Sequence, residues 1–184
     1  MSKIIISVLG QDRPGIIAAV SRVLLEHESN IENVSQTTLQ SCFAGIFIAA
    51  IPDRLAPSTI EDALAERLSS MGLQVHVQPM AALEAPSSAP EADPFVITTR
   101  GPDRKGLVAE ISAVLAHHGV NITNLQALFK GGDDPTANIM IYEVDIPRRA
   151  DHDALFADLK SRSEKLRLKI SIQHREIFKV LNRI

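Results

Sequence analysis

Hydrophobic positions along this chain follow two alternating rhythms, and the rhythms occur twice in the same order. Ile4–Leu9 is a short β-rich run that predicts a strand. Ile16, Ile17, Val20, Val23 and Leu24 then recur at helical spacing and predict an amphipathic helix. Asn30–Leu39 and Cys42–Ile51 are two β-rich runs parted by a short polar turn, which predicts a hairpin. Ser58–Ser70 reads as a second helix, with Ser58 as N-cap and Glu61 completing a capping box, and Leu73–Gln78 alternates as a last strand. The predicted order is βαββαβ.

The second half repeats it. Phe95–Thr99 predicts a strand, and Leu107, Val108, Ile111, Val114 and Leu115 carry the helical spacing. Asn121–Phe129 and Ala137–Ile146 form the hairpin around a longer turn, KGGDDPT; Asp151–Glu164 predicts a helix and Leu166–Gln173 a strand. Offsetting the chain by 91 residues aligns residues 4–34 with 95–125 without a gap, and 13 of the 31 positions are identical, including Gly10/Gly101, Asp12/Asp103, Gly15/Gly106 and Asn30/Asn121. The chain is therefore read as a duplicated module. Residues 1–79 form the first copy and 94–184 the second, which ends in a short C-terminal helix drawn from REIFKVLNRI. Residues 80–93, rich in Pro, Ala and Ser, read as an extended linker. Each copy fits a ferredoxin-like α+β arrangement, with both helices on one face of a four-stranded antiparallel sheet. The other face needs solvent or a partner, so the modules are expected to pack side by side.

Composition narrows the class. The chain of 184 residues is 45% hydrophobic and 22% charged, ordinary for a soluble globular protein. A net charge of -3 argues against a broad electrostatic footprint for nucleic acid. No helix-turn-helix unit with a basic recognition helix is legible either. The single cysteine, Cys42, permits no internal disulfide and reads as a buried, inert thiol in a reducing compartment. The start MSKIIISVLGQD is a poor signal peptide and too short to span a bilayer, so a cytoplasmic protein without membrane contact is expected.

Two paired motifs remain. Each predicted first strand ends in Gly-x-Asp-Arg-x-Gly: GQDRPG at residues 10–15 and GPDRKG at residues 101–106. The first N–H groups of a helix lack internal partners and favour an anion. Gly15 and Gly106 keep a Cβ off that backbone, and Asp12 and Asp103 are placed to accept from early helix N–H groups. A small carboxylate fits such a junction; so does a helix start that binds nothing. The second motif, Asn-Ile-x-Asn, covers Asn30–Asn33 and Asn121–Asn124 at the entry to each second strand. An Asn amide can hold an amino group and a carboxylate together, or Asn30 and Asn121 can end the helix in a left-handed conformation.

Gly-x-Asp-Arg-x-Gly after a first strand, followed by a helix and Asn-Ile-x-Asn, resembles the ACT domain in both halves. The resemblance implies a small-molecule regulatory module that binds amino acids between two copies. It places the ligand beside Asp12, Gly15, Ile16 and Asn30 in one module and Asp103, Gly106, Leu107 and Asn121 in the other. Lys105 departs from the motif's proline, so the two sites are expected to differ. A pair of such domains without a catalytic domain is similar to the glycine cleavage system transcriptional repressor family. That similarity implies glycine or serine as ligand, a homo-oligomer, and regulation through a protein partner rather than direct DNA contact.

Enzyme chemistry finds no foothold. Cys42 has no neighbouring base, His117 and His118 are adjacent on a helix, Asp151-His152-Asp153 opens a helix, and Gly131–Asp134 lacks the spacing of a calcium or phosphate loop. The expectation is a non-enzymatic amino-acid-sensing regulator with no cofactor and no metal. Two alternatives stay open: a separate regulatory subunit of an amino-acid or folate enzyme, and a structural dimerisation module without ligand.

Overall fold

Strand alternation and helix spacing set the architecture directly in the computed structural model, which describes residues 1–80, 91–128 and 138–177. The first unit, residues 1–87, runs β1 (Ser2–Gln11), α1 (Ile16–Glu26), β2 (Asn30–Leu39), β3 (Cys42–Ile51), α2 (Pro57–Ser69) and β4 (Gln74–Pro79). The second, residues 88–184, runs β5 (Ala92–Gly101), α3 (Leu107–His117), β6 (Asn121–Leu128), β7 (Asn138–Pro147), α4 (His152–Lys165) and β8 (Lys169–His174). The strand orders are β2-β3-β1-β4 and β6-β7-β5-β8, with every neighbouring pair antiparallel. Both units are therefore ferredoxin-like βαββαβ modules of α+β class.

In the first module Ile4, Ile6 and Val8 of β1 face Ala49, Phe47 and Gly45 of β3, and these residues meet Val20, Val23 and Leu24 of α1 and Ile60, Leu64 and Leu68 of α2 in one core. Burying each Ile, Val, Leu or Phe side chain among them contributes about 1.5–3 kcal/mol. The second core uses the same layers through Ile97, Tyr142, Ile111, Leu115, Leu155 and Leu159. Three pairs break the match: Val8, Phe43 and Leu68 are replaced by Thr99, Asn138 and Ser163, and the Thr99 and Ser163 hydroxyls are buried without a partner.

Several local expectations are corrected. Helix α2 is not capped by Ser58: its N-cap is Ala56 with Pro57 at the first position. Glu61 reaches across to β4 instead, where its carboxylate accepts from the Val77 N–H at 3.1 Å. Cys42 is exposed rather than buried, because its pairing with Gln11 turns its side chain to the face opposite the helices. Helix α4 does carry a side-chain cap, with the Ala154 N–H donating to Asp151 Oδ1 at 3.0 Å. The C-terminal segment is helical at Arg175–Ile177. The rest of that segment, the KGGDDPT turn and linker residues 81–90 lie outside the described residues.

Candidate functional site

Each Gly-x-Asp-Arg-x-Gly segment joins a central strand to the first helix, and its two glycines serve different ends. Gly10 lies where β1 passes the turn between α2 and β4; a Cβ there would sit 2.7 Å from Leu73 Cδ2 and 2.9 Å from the Gly72 carbonyl oxygen. Gly101 is in the same position, 2.8 Å from the Arg167 carbonyl oxygen. The first glycine thus permits two backbones to approach. The second glycine is the N-cap: Gly15 has φ 97° and Gly106 φ 90°, in the left-handed region, with nothing within 4 Å of an added Cβ.

Neither helix start receives a side-chain cap. Asp12 and Asp103 therefore do not satisfy the early helix N–H groups. With Gly15 as N-cap, Asp12 lies three residues outside the helix; its backbone N–H donates to the Ser41 carbonyl at 2.8 Å and its carboxylate accepts a long bond from the Thr38 hydroxyl at 3.4 Å. Asp12, Arg13, Gly15, Ile16, Gln36 and Phe43 border a shallow cavity of about 200 Å³. Asp12, Gly15, Asp103 and Gly106 are exposed, whereas the Ile16 and Leu107 side chains are each 2% exposed and anchor the first helical turn in the core. Only the backbone of these two residues is available to a ligand.

The Asn-Ile-x-Asn segments form a bulge in each module. Asn30 pairs with Ala50, Ile31 with Ala49 and Asn33 with Ile48, so Glu32 is the extra residue; in the second module the extra residue is Thr123. The insertion shifts the strand's phase. Ile31 and Val34 face the helix side, opposite Ala49 and Phe47, while Asn30 and Asn33 share the open face. Asn30 and Asn121 are exposed strand residues and do not end the helices, since the left-handed positions are Glu28 (φ 52°) and Gly119 (φ 69°).

Register separates the two motifs within a module. Asp12 lies opposite Ser41, in the turn that leads into β3, and Asn30 lies opposite Ala50, nine residues further along the chain near the end of β3. That is about 30 Å of extended chain. The structure thus brings Asp12, Gly15 and Ile16 together and puts Asn30 at the far end of the sheet; Asp103, Gly106, Leu107 and Asn121 divide in the same way.

The Asn end also differs between modules. In the second, Asn124 Nδ2 donates to Glu143 at 3.0 Å, and Arg175 donates to Asp145 at 3.0 Å, the strand partner of Asn121. The first module has Ile48 and Ala50 where the second has Glu143 and Asp145. Among the described residues, no three His, Cys, Asp or Glu side chains converge as a metal site would need, and no helix is long and apolar enough to cross a membrane.

Residues 2–78 match a family model described as ACT domain, and residues 95–128 match a second model of the same description. A UPF0237 protein of Methanocaldococcus jannaschii is 39% identical over 79 residues, 42% of this chain and 88% of the relative. One from Corynebacterium efficiens is 42% identical over 85 residues, 44% of this chain and 92% of the relative. These matches extend over the length of a single module. Among solved structures, one described as an unknown protein from Galdieria sulphuraria superposes with a TM-score of 0.77 at 25% identity, covering 94% of this chain and 98% of its own. A candidate glycine cleavage system transcriptional repressor superposes with a TM-score of 0.68 at 16% identity, covering 94% and 96%. At that identity the second likeness shows the shared two-module fold.

Proposed function

This chain belongs to the ACT-domain family and is a tandem regulatory protein of that type, and on that premise we propose that it senses a small amino acid and transmits occupancy to a protein partner. The observation that carries the reading is the repeated helix start at Gly15 and Gly106: exposed, left-handed, without a side-chain cap, and open where a side chain would stand. Uncapped N–H groups at a helix N-terminus favour a carboxylate. The neighbouring cavity of about 200 Å³ suits an amino acid with a small side chain, and glycine and serine are the first ligands to test.

Because Asp12 and Asn30 lie at opposite ends of one sheet, a ligand that touches both groups requires two modules, with one contributing the junction and another the Asn end. A ligand of this kind is held by groups drawn from two copies of the module. Arg175 ties down the Asn121 end through Asp145, so the two sites are unequal, with Asn30 offering the open one. The cytoplasmic, non-enzymatic role follows from this reading. Repression of a glycine cleavage system is its most specific form, supported by the two-module architecture shared with the structure of that description.

Calorimetry and thermal unfolding against the common amino acids test the proposal. One of them should bind, and at about 100 times its dissociation constant should add roughly 2.7 kcal/mol per site. Asp12→Ala and Asn30→Ala should each weaken binding, despite their separation in the module. Binding of no amino acid refutes the sensor, and indifference to Asn30→Ala refutes the inter-module site. Co-purification that retrieves an enzyme instead of a transcription factor moves the chain to the regulatory-subunit alternative.

A further inference from the structure

The two modules share a backbone but not a charge pattern at the end of the sheet where β1 and β5 stop. In the second module Arg100, Gly101, Pro102, Arg167 and Lys169 line a cavity of about 270 Å³. The matching positions of the first module are Leu9, Gly10, Gln11, Gly72 and Gln74. Three neutral positions have become cations around one cavity, while the glycine between them is unchanged. In a chain of net charge -3 this concentration is local.

Two features of the arrangement carry a cost. Arg100 and Lys169 are direct cross-strand partners of β5 and β8, and like charges placed opposite each other destabilise a sheet. Arg167 sits at φ 56°, where the first module has Gly72 at φ 66°; an L side chain enters that region at a cost. Gly101 holds the pieces close, since a Cβ there would lie 2.8 Å from the Arg167 carbonyl oxygen. Arg167 and Lys169 have no ion-pair partner among the described residues, whereas Arg100 is already engaged in an interaction of its own, so the first two are the cations left for a ligand. A residue held in a costly conformation beside like charges is what an anion site requires before its anion arrives.

We propose that this cavity binds a phosphomonoester dianion, the phosphate of a small phosphorylated metabolite. Guanidinium forks recognise phosphate through paired N–H donors, and an ammonium adds a point charge. The volume exceeds that of a phosphate group and leaves room for a small organic remainder. The site uses neither Asp103 nor Gly106, so it stands or falls apart from amino-acid sensing. It gives the second module an input that the first lacks.

The experiment is a titration of the full chain with inorganic phosphate, against chloride at equal ionic strength, slightly above neutral pH, read by calorimetry and by melting temperature. Its key variant is Arg167→Gly with Lys169→Gln, which installs the first module's residues on the same backbone. Phosphate should bind and raise the melting temperature of the parent. The double variant should lose about tenfold or more in affinity. Without phosphate the variant should melt no lower than the parent, because the strain and the repulsion are gone. Phosphate no more effective than chloride, or equally effective on the variant, overturns the site. Tighter binding of succinate, or of a short oligonucleotide, than of phosphate overturns the assignment of ligand class.

Discussion

Replacing Gly10 and Gly15, each by Ala and each by Asn, separates the two reasons for glycine in the junction motif. At Gly10 the obstacle is the turn before β4. An Ala Cβ would lie 2.7 Å from Leu73 Cδ2, which can swing aside, but also 2.9 Å from the Gly72 carbonyl and 3.2 Å from Leu73 Cα, which cannot. Such overpacking costs about 1–3 kcal/mol, and the larger Asn costs more. At Gly15 nothing lies within 4 Å, and the cost of Ala, about 1–2 kcal/mol, comes from φ 97°. Asn visits the left-handed region more readily than Ala, so there it costs less. In a unit spanning Met1–Ser87, 1 kcal/mol moves the melting temperature by about 4–8 °C, so the differences are measurable by scanning calorimetry. The expected ordering reverses between sites: Ala above Asn at position 10, Asn above Ala at position 15. The same ordering at both, or a neutral Gly10→Ala, refutes this division of labour.

Further outcomes follow from the cores and the surface. Tyr142, the chain's one tyrosine, is buried and its phenol is pushed up to about 12 from 10.0, so its ultraviolet titration should midpoint near pH 12. Because the unfolded chain ionises first, stability of the second module should be full below pH 10 and decline as pH rises towards 12. The hydrogen bond from Arg54 to Glu28, 2.6 Å, together with the Arg54 charge, lowers the Glu28 pKa below 4.5. Its small stabilisation is present above pH 4.5 and lost as pH falls through the folded-state value; Arg54→Gln should return the carboxyl to its ordinary value in an NMR titration. Thr99→Val, which copies Val8 of the first module, should raise the melting temperature because it removes a buried hydroxyl without a partner, with a gain of about 1 kcal/mol; a loss of stability would show that the hydroxyl is satisfied.

Much of the fold was legible because its signals are local. Hairpin runs at Asn30–Leu39 and Cys42–Ile51 coincide with the observed strands, and the duplicated apolar spacing locates both first helices. What escaped depends on register. The Asp12 and Asn30 motifs are close in sequence, but helix α1 carries the chain between them back along the sheet, so that they stand opposite Ser41 and Ala50, at the two ends of β3, which no spacing rule reveals. The capping expectations failed because the helices begin elsewhere than the expected capping side chains: Asp12 lies three residues outside α1, whose N-cap is Gly15, and Ser58 already lies inside α2, whose N-cap is Ala56. Cys42 was assigned by residue type, while its exposure depends on which face the Gln11 pairing selects. The cation cluster was also hidden, since Arg100, Arg167 and Lys169 are gathered by the pairing of β5 with β8 and by the turn that precedes β8.

The bulges at Glu32 and Thr123 also bear on how these modules can be extended. β2 and β6 are edge strands of their four-stranded sheets, and an edge offers unpaired backbone groups to any strand that approaches. A bulge interrupts that offer, so a docking strand cannot run unbroken along the whole edge. On β2 the regular template begins at Asn33 and ends at Leu39; on β6 its described part runs from Asn124 to Leu128. Any ribbon built across this edge therefore has a prescribed starting point, and indefinite sheet growth meets a built-in stop at the end where Asn30 and Asn121 stand.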